Sequence, residues 1–206
     1  MQKAALREQA PLEQEEIRLR KAELRQQGLA RRRAQPHKDE ISRRILAHAL
    51  GLPQYQRAQT VMFYVGVRSE VRTRDELSAQ LASDKRIVVP YCAGHELELF
   101  HLWTLDELER GGFGLLEPRL ELRGLPQRQL PISAVDLVFV PGVAFDPRGV
   151  RCGHGKGYYD RLLRRVRPDT FLAGLAFQCQ VFPEIPVEEH DVLLDAVITE
   201  EQTYCS

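Results

Sequence analysis

The sequence predicts a doubly wound α/β fold, a mainly parallel sheet flanked by helices in a single domain, with a basic N-terminal helix in front. Three observations lead there. Beyond residue 55 short apolar runs alternate with helical patterns, as in successive βαβ units. The 206 residues, 43% hydrophobic and 28% charged, suit one globular domain and exclude fibrous, collagenous and disordered classes. Five of the fourteen glycines fall within residues 142–157, between an expected strand and an expected helix, and ligands of such folds sit at the carboxyl ends of strands.

The elements follow in order. Residues 1–16, with Pro11 and few apolar anchors, read as frayed or solvent-exposed helix, so a polar extension is expected over 1–18 and the domain over 19–206. Leu24, Gly28 and Arg31 onward read as a long polar helix. Ile41, Ile45, Leu46, Ala49 and Leu50 recur at helical spacing before the Gly51-Leu52-Pro53 stop. A strand is expected over 61–65, a helix over 75–81 and a strand over 87–89, closed by Pro90. An extra strand is expected over Leu97, Leu99 and residues 101–103, in a hairpin with the segment after Tyr91. The pattern ends with a strand over 136–140, the glycine-rich loop, a helix over 159–166, a strand over 171–177 and a closing strand over 196–199.

Charge narrows the function. Twenty-nine basic side chains cancel twenty-nine acidic ones, so no global field holds this chain on nucleic acid or an anionic membrane. The balance is uneven, with 12 basic and 7 acidic residues in the first 50. No apolar run approaches the roughly 20 residues of a membrane helix. The N-terminus resembles neither a secretory signal nor a transit peptide, and a cytoplasmic location is expected. Cys92, Cys152, Cys179 and Cys205 show no CxxC pairing and read as reduced and incidental; a structural or catalytic cysteine is the alternative, without metal-ligand spacing to support it.

The run PGVAFDPRGVRCGHGKGYYDRLL carries the chemistry. Glycine at 153, 155 and 157 lets successive N–H groups turn inward as an anion-binding nest, with Arg151, Lys156 and a helix N-terminus near Tyr158 adding positive charge. Phosphate is the matching anion. Val150 stands where a Walker A loop needs glycine, Gly157 replaces its Ser or Thr, and GxGxG is not the GxGxxG of dinucleotide folds. A flexible surface turn is the alternative reading. Asp160 could hold magnesium against phosphate or simply favour the helix N-terminus. Residues 184–201 hold seven acids and no Lys or Arg, and one of them, among Glu188, Glu189 and Asp191, could complete a metal site.

The run PGVAFDPRGVRCGHGKGYYDR resembles the signature of the 5-formyltetrahydrofolate cyclo-ligase family. Lys21-Ala22-Glu23-Leu24-Arg25 is similar to the family's KxxLR helix, residues 65–70 to its folate-side loop, and Phe113-Gly114-Leu115-Leu116-Glu117-Pro118 to its FGIxEP segment. The resemblance implies an enzyme, an ATP-dependent cyclo-ligase with magnesium as cofactor and ATP as co-substrate. It would close 5-formyltetrahydrofolate to 5,10-methenyltetrahydrofolate through a phosphorylated formyl group, releasing ADP and phosphate. It also implies that Lys21, Ala22, Glu23, Leu24, Arg25 and Arg151, Cys152, Gly153, His154, Gly155, Lys156, Gly157, Tyr158 and Tyr159 contact ATP. Val65 and Glu70, with His154, Gly155, Lys156, Gly157 and Tyr158, would take the folate; Lys156, Tyr158 and Arg151 would be catalytic, and Asp160 and Asp191 would hold magnesium. His154 departs from the family, where arginine is frequent. Reduced folate and ATP are the expected partners of a monomer, with no nucleic acid and no membrane. The alternatives are a divergent member that binds nucleotide or folate without cyclisation, or a nucleic-acid-binding module using Arg31-Arg32-Arg33 and Arg43-Arg44.

Overall fold

The computed structural model describes residues 14–111 and 115–205. Helix α1 spans Gln14–Ala34, α2 Lys38–Leu50 and α3 Pro53–Arg57. Strand β1, Thr60–Met62, leads through α4, Arg74–Leu81, into the hairpin of β2, Arg86–Ala93, and β3, Glu96–His101. Short strands β4, Leu108–Arg110, and β5, Leu116–Pro118, pair with each other. Then come β6, Gln129–Leu130, and β7, Leu137–Val140. The short strands β8, Ala144–Phe145, and β9, Arg151–Cys152, precede α5, Tyr158–Leu163, with β10, Phe171–Leu175, β11, Ala196–Ile198, and β12, Thr203–Cys205, closing the chain. Of the polar extension expected over 1–18, residues 1–13 lie outside the described residues, and 14–18 open α1.

Eight strands form one sheet in the order β12-β11-β10-β7-β1-β2-β3-β6. β11, β10, β7, β1 and β2 are parallel, and antiparallel β12, β3 and β6 finish the edges. From β1 the chain builds outward one way to β2, and from β7 the other way to β10 and β11. The order therefore reverses between β1 and β7, the switch point where the carboxyl ends of two strands diverge and leave a crevice.

Period-two alternation assigns the sheet's faces. Val61, Leu137 and Phe139 meet α2, α3 and Leu77 of α4 on one face, where the Phe63 and Phe139 rings lie 4.8 Å apart. Met62, Val138 and Val140 meet Leu162 and Leu163 of α5 on the other. Leu24 of α1 packs on a third cluster with Ala144, Val150 and Phe182.

The expected boundaries shift at the functional ends. The strand expected over 61–65 ends at Met62 with one further bond, from the Phe63 N–H to the Val88 carbonyl at 2.9 Å. Beyond it the chain packs closely at Gly66, whose Cβ position lies 2.2 Å from the Val71 carbonyl oxygen. The helix expected over 159–166 starts at Tyr158 and stops at Leu163. Beyond it, Arg165 and Val166 bond back three residues to Leu162 and Leu163, a tighter turn that ends before Pro168. The glycine-rich segment is not one loop: β8 and β9 pair across a turn at 146–150, and residues 153–157 form a second, separate loop before α5.

Gly28 decides how closely α1 approaches this hairpin. A Cβ there would stand 2.5 Å from the carbonyl oxygen of Val143, and backbone cannot yield cheaply. Alanine would favour the isolated helix by about 1 kcal/mol. The overpacking term, about 1–3 kcal/mol, is the larger. Gly28→Ala is therefore expected to lower stability, read as a lower denaturant midpoint; an unchanged or higher midpoint would show that α1 shifts freely.

Candidate active site

A cavity of about 1090 Å³ opens where β1 and β7 diverge. Its walls are α1, residues 65–70 after β1, Pro141 and Gly142 after β7, and residues 151–160. Pro90, Tyr91, Cys92 and Leu97 of the β2–β3 hairpin, with Leu115, Leu116 and Glu117, supply an apolar and aromatic side. Phe113 and Gly114 lie outside the described residues. Glu117 accepts from the Cys92 N–H at 3.2 Å and pairs with Arg123 at 3.3 Å, tying its segment to the hairpin.

Helical spacing sorts the KxxLR residues. Lys21 and Arg25, four apart, face the cavity. Ala22 and Glu23 face solvent, Glu23 pairing with Arg20, and Leu24 enters the core, so these three do not line the cavity. Cys152, in β9, likewise is core, in the same cluster as Leu24, where burial pushes its thiol pKa up. The reason is the same in both cases: neighbours in a helix or strand point in different directions, so a contiguous motif cannot all meet one ligand.

The 153–157 loop is anchored rather than loose. Arg25 Nε donates to the Gly153 carbonyl at 3.1 Å, and Arg161 Nη1 to that of Lys156 at 3.2 Å. Gly155 and Gly157 have φ of 85° and 68°, values that side chains rarely adopt, and Gly157 is the residue from which α5 starts. His154, Lys156 and Tyr158 line the cavity, although the Tyr158 hydroxyl donates to the Gly94 carbonyl at 3.1 Å. Tyr159 is turned inward beside Arg151, whose guanidinium carbon lies 5.8 Å from its ring centre, and burial raises its phenol pKa well above the ordinary value.

Asp146, fully buried, holds the hairpin in place. Its carboxylate accepts from the Arg148 and Val150 N–H groups, the Ile185 N–H and the Arg148 guanidinium, all within 3.1 Å. This links Arg151 to the segment that carries Glu188 and Asp191. Arg151 is 6% exposed; its Nη2 bonds Asp160 at 2.5 Å, while Nε is buried with no partner among the described residues. A buried donor without an acceptor is costly unless a ligand supplies one.

Asp160 and Asp191 both line the cavity but do not converge. Asp160 is engaged by Arg151. Among the described residues, the acids and imidazole that do converge are Glu188, His190 and Asp191, with ligand atoms within 4.8 Å of one another. Lys21, 2% exposed, pairs with Asp191 and, at 2.8 Å, with Glu188. Burial would raise the Glu188 pKa, but hydrogen bonding and charge from Lys21, helped by His190, outweigh it and hold the group below the ordinary range. Two carboxylates in this setting are the oxygen donors that a hard divalent cation takes.

Sequence reasoning missed Arg32, 3% exposed, and gave it only a nucleic-acid role with its neighbours. A signal was present: Lys21, Leu24, Gly28 and Arg32, at helical spacing, form the buried stripe of α1. Arg31 instead stacks on Phe182 at 4.4 Å, so Arg31-Arg32-Arg33 does not present one solvent face. Among the described residues no helix is long and apolar enough to cross a membrane.

Comparison with known proteins gives the same answer as the glycine segment. Residues 16–200 match the 5-formyltetrahydrofolate cyclo-ligase family. A 5-formyltetrahydrofolate cyclo-ligase of Haemophilus influenzae is 32% identical over 164 residues, 78% of this chain and 84% of that one. The protein of that name from Escherichia coli K12 is 32% identical over 166 residues, 78% of this chain and 88% of the other. The solution structure of 5,10-methenyltetrahydrofolate synthetase from Aquifex aeolicus superposes with a TM-score of 0.78 at 32% identity, covering 90% of this chain and 92% of that one. The chain is an enzyme of the 5-formyltetrahydrofolate cyclo-ligase family.

Proposed function

We infer that the chain closes 5-formyltetrahydrofolate to 5,10-methenyltetrahydrofolate at the expense of ATP. One observation carries the reading: a single cavity is shared by an anchored glycine loop rich in cations and by a facing wall with Glu70 and an aromatic, apolar side. The first suits polyphosphate, the second a flat heteroaromatic ring with N–H donors at its edge.

The formyl oxygen attacks the γ-phosphorus of ATP and the bond to ADP breaks. The neighbouring folate nitrogen then attacks the formyl carbon, the carbon–oxygen bond breaks, and phosphate departs with that oxygen as the nitrogen loses its proton. No protein nucleophile is needed; positioning and charge neutralisation carry the chemistry. Arg25, Arg151 and the loop N–H groups bind the phosphates, with Lys21 beside them, and Lys156 meets the charge that gathers on the group in transfer. Tyr158 closes the side next to the β2–β3 turn. Glu70 accepts from the pterin edge, with Val65 along the ring. Asp191 with Glu188, and Asp160 beyond Arg151, are the carboxylates that would hold magnesium, whose contribution is to neutralise phosphate charge.

Purified protein mixed with magnesium, ATP and 5-formyltetrahydrofolate is expected to give the near-ultraviolet absorbance of the conjugated product, with one phosphate released per product formed. A folded protein that gives no absorbance change would overturn the reading, and phosphate release without product would favour nucleotide binding without cyclisation.

A further inference from the structure

Arg32 sits on the cavity wall, and the acid beside it, Glu70, also has its Oε1 3.8 Å from His154 Nε2 of the glycine loop. Its Nη1 donates to the Gly142 carbonyl at 3.0 Å and its Nε to Ser69 Oγ at 3.1 Å. The Gly142 carbonyl is held from the other side by Gln180 Nε2, at 3.1 Å. Glu70 Oε1 lies 3.7 Å from Arg32 Nη1, and Oε2 accepts from the Val67 N–H at 3.1 Å. The loop folds back as a tight turn, Glu70 N–H to the Val67 carbonyl at 3.0 Å, with Arg68 at a φ of 54°.

A carbonyl-to-hydroxyl tie needs no charge, and burying a guanidinium costs free energy. Burial does lower the Arg32 pKa, and Glu70 is the largest influence opposing that fall. What a neutral link would not supply is a fixed positive charge beside Glu70. Such a charge attracts the carboxylate across 3.7 Å, while the guanidinium's planar fork spends its hydrogen bonds on Ser69 and Gly142 on either side of it.

We propose that Arg32 is a positioning residue for the pterin half of the site: it locks residues 69 and 70 to Gly142 and holds the Glu70 carboxylate as an acceptor on the cavity wall. The inference rests on the reading that Glu70 takes the folate. It follows that Arg32 governs folate binding and leaves the phosphate side largely untouched.

The experiment is a double-mutant cycle of Arg32→Gln and Glu70→Gln, with KM for folate, KM for ATP and kcat measured for each, and folate binding measured without ATP. Arg32→Lys is the conservative arm. Arg32→Gln is expected to raise folate KM about tenfold to a hundredfold, from the loss of charged hydrogen bonds, with ATP KM moved much less. Arg32→Lys should recover part of the loss. In the Glu70→Gln background Arg32→Gln should add little, because coupled residues are not additive. Equal losses in both KM values, or additive effects, overturn the proposal and make Arg32 a general fold contact. If Glu70→Gln leaves folate KM unchanged, the reading of Glu70 itself fails; Arg32→Gln raising folate KM while Glu70→Gln does not would separate the two.

Discussion

Lys156→Met is expected to lower kcat by about a hundredfold to a thousandfold while changing folate affinity far less, the effect of removing one preorganised charge-stabilising donor. Lys156 lies on the cavity wall between two glycines of positive φ, and its own carbonyl is tied to Arg161, so the loop presents the side chain from a fixed backbone. Methionine keeps the length and most of the volume, and the fold should survive. Charge grows on the transferring phosphoryl oxygens only as the reaction proceeds, so the loss should fall on turnover. A flexible surface turn predicts nearly normal kcat, and steady-state kinetics with a separate folate-binding measurement separate the two.

Arg151→Met should cost about a hundredfold or more in kcat/KM for ATP, because charge-assisted hydrogen bonds to phosphate are lost and Asp160 loses its partner. Arg151→Lys should recover little. A guanidinium can bond Asp160 through one nitrogen and still offer Nε to a ligand, whereas an ammonium on a shorter reach serves one partner well. Recovery to within about threefold of wild type by lysine would show that charge alone suffices there. Asp160→Asn adds a readout of its own: a role through Arg151 weakens ATP use at every magnesium concentration, whereas a metal ligand shifts the magnesium dependence itself.

Much of the fold was legible because local rules govern it. Alternating runs located β1, β2, β7, β10 and β11, and Gly51-Leu52-Pro53 marked the end of α2. The β2–β3 hairpin was foreseen from Leu97 and Leu99, but the stop expected at Pro90 was not met. β2 runs on to Ala93 with Pro90 opposite Leu99, tolerated because pairing with β1 on the other side has ended at Val88. The hairpin inside the glycine segment was not, because β8 and β9 are two residues each and their pairing depends on Asp146 bonding to Ile185, 39 positions away. Motif-wide assignment also over-reached at Ala22, Glu23, Leu24 and Cys152, where contiguity in sequence was taken for contiguity in space.

By itself the sequence determined which chemistry was on offer: a glycine loop with lysine and arginine beside it, two basic residues one helical turn apart, and an acidic segment near the end of the chain. Those are matters of residue type and short spacing, set by the backbone's two periodicities. Only the tertiary structure decided which charges meet. Lys21 reaches Glu188 and Asp191 across 167 and 170 residues, Arg151 takes Asp160, and Arg32 turns inward toward Glu70 and away from solvent. Charged groups have no periodicity that announces a partner, and the choice is made where the packed helix, sheet and hairpin bury them together: a cation removed from water must find its anion there or not be buried at all.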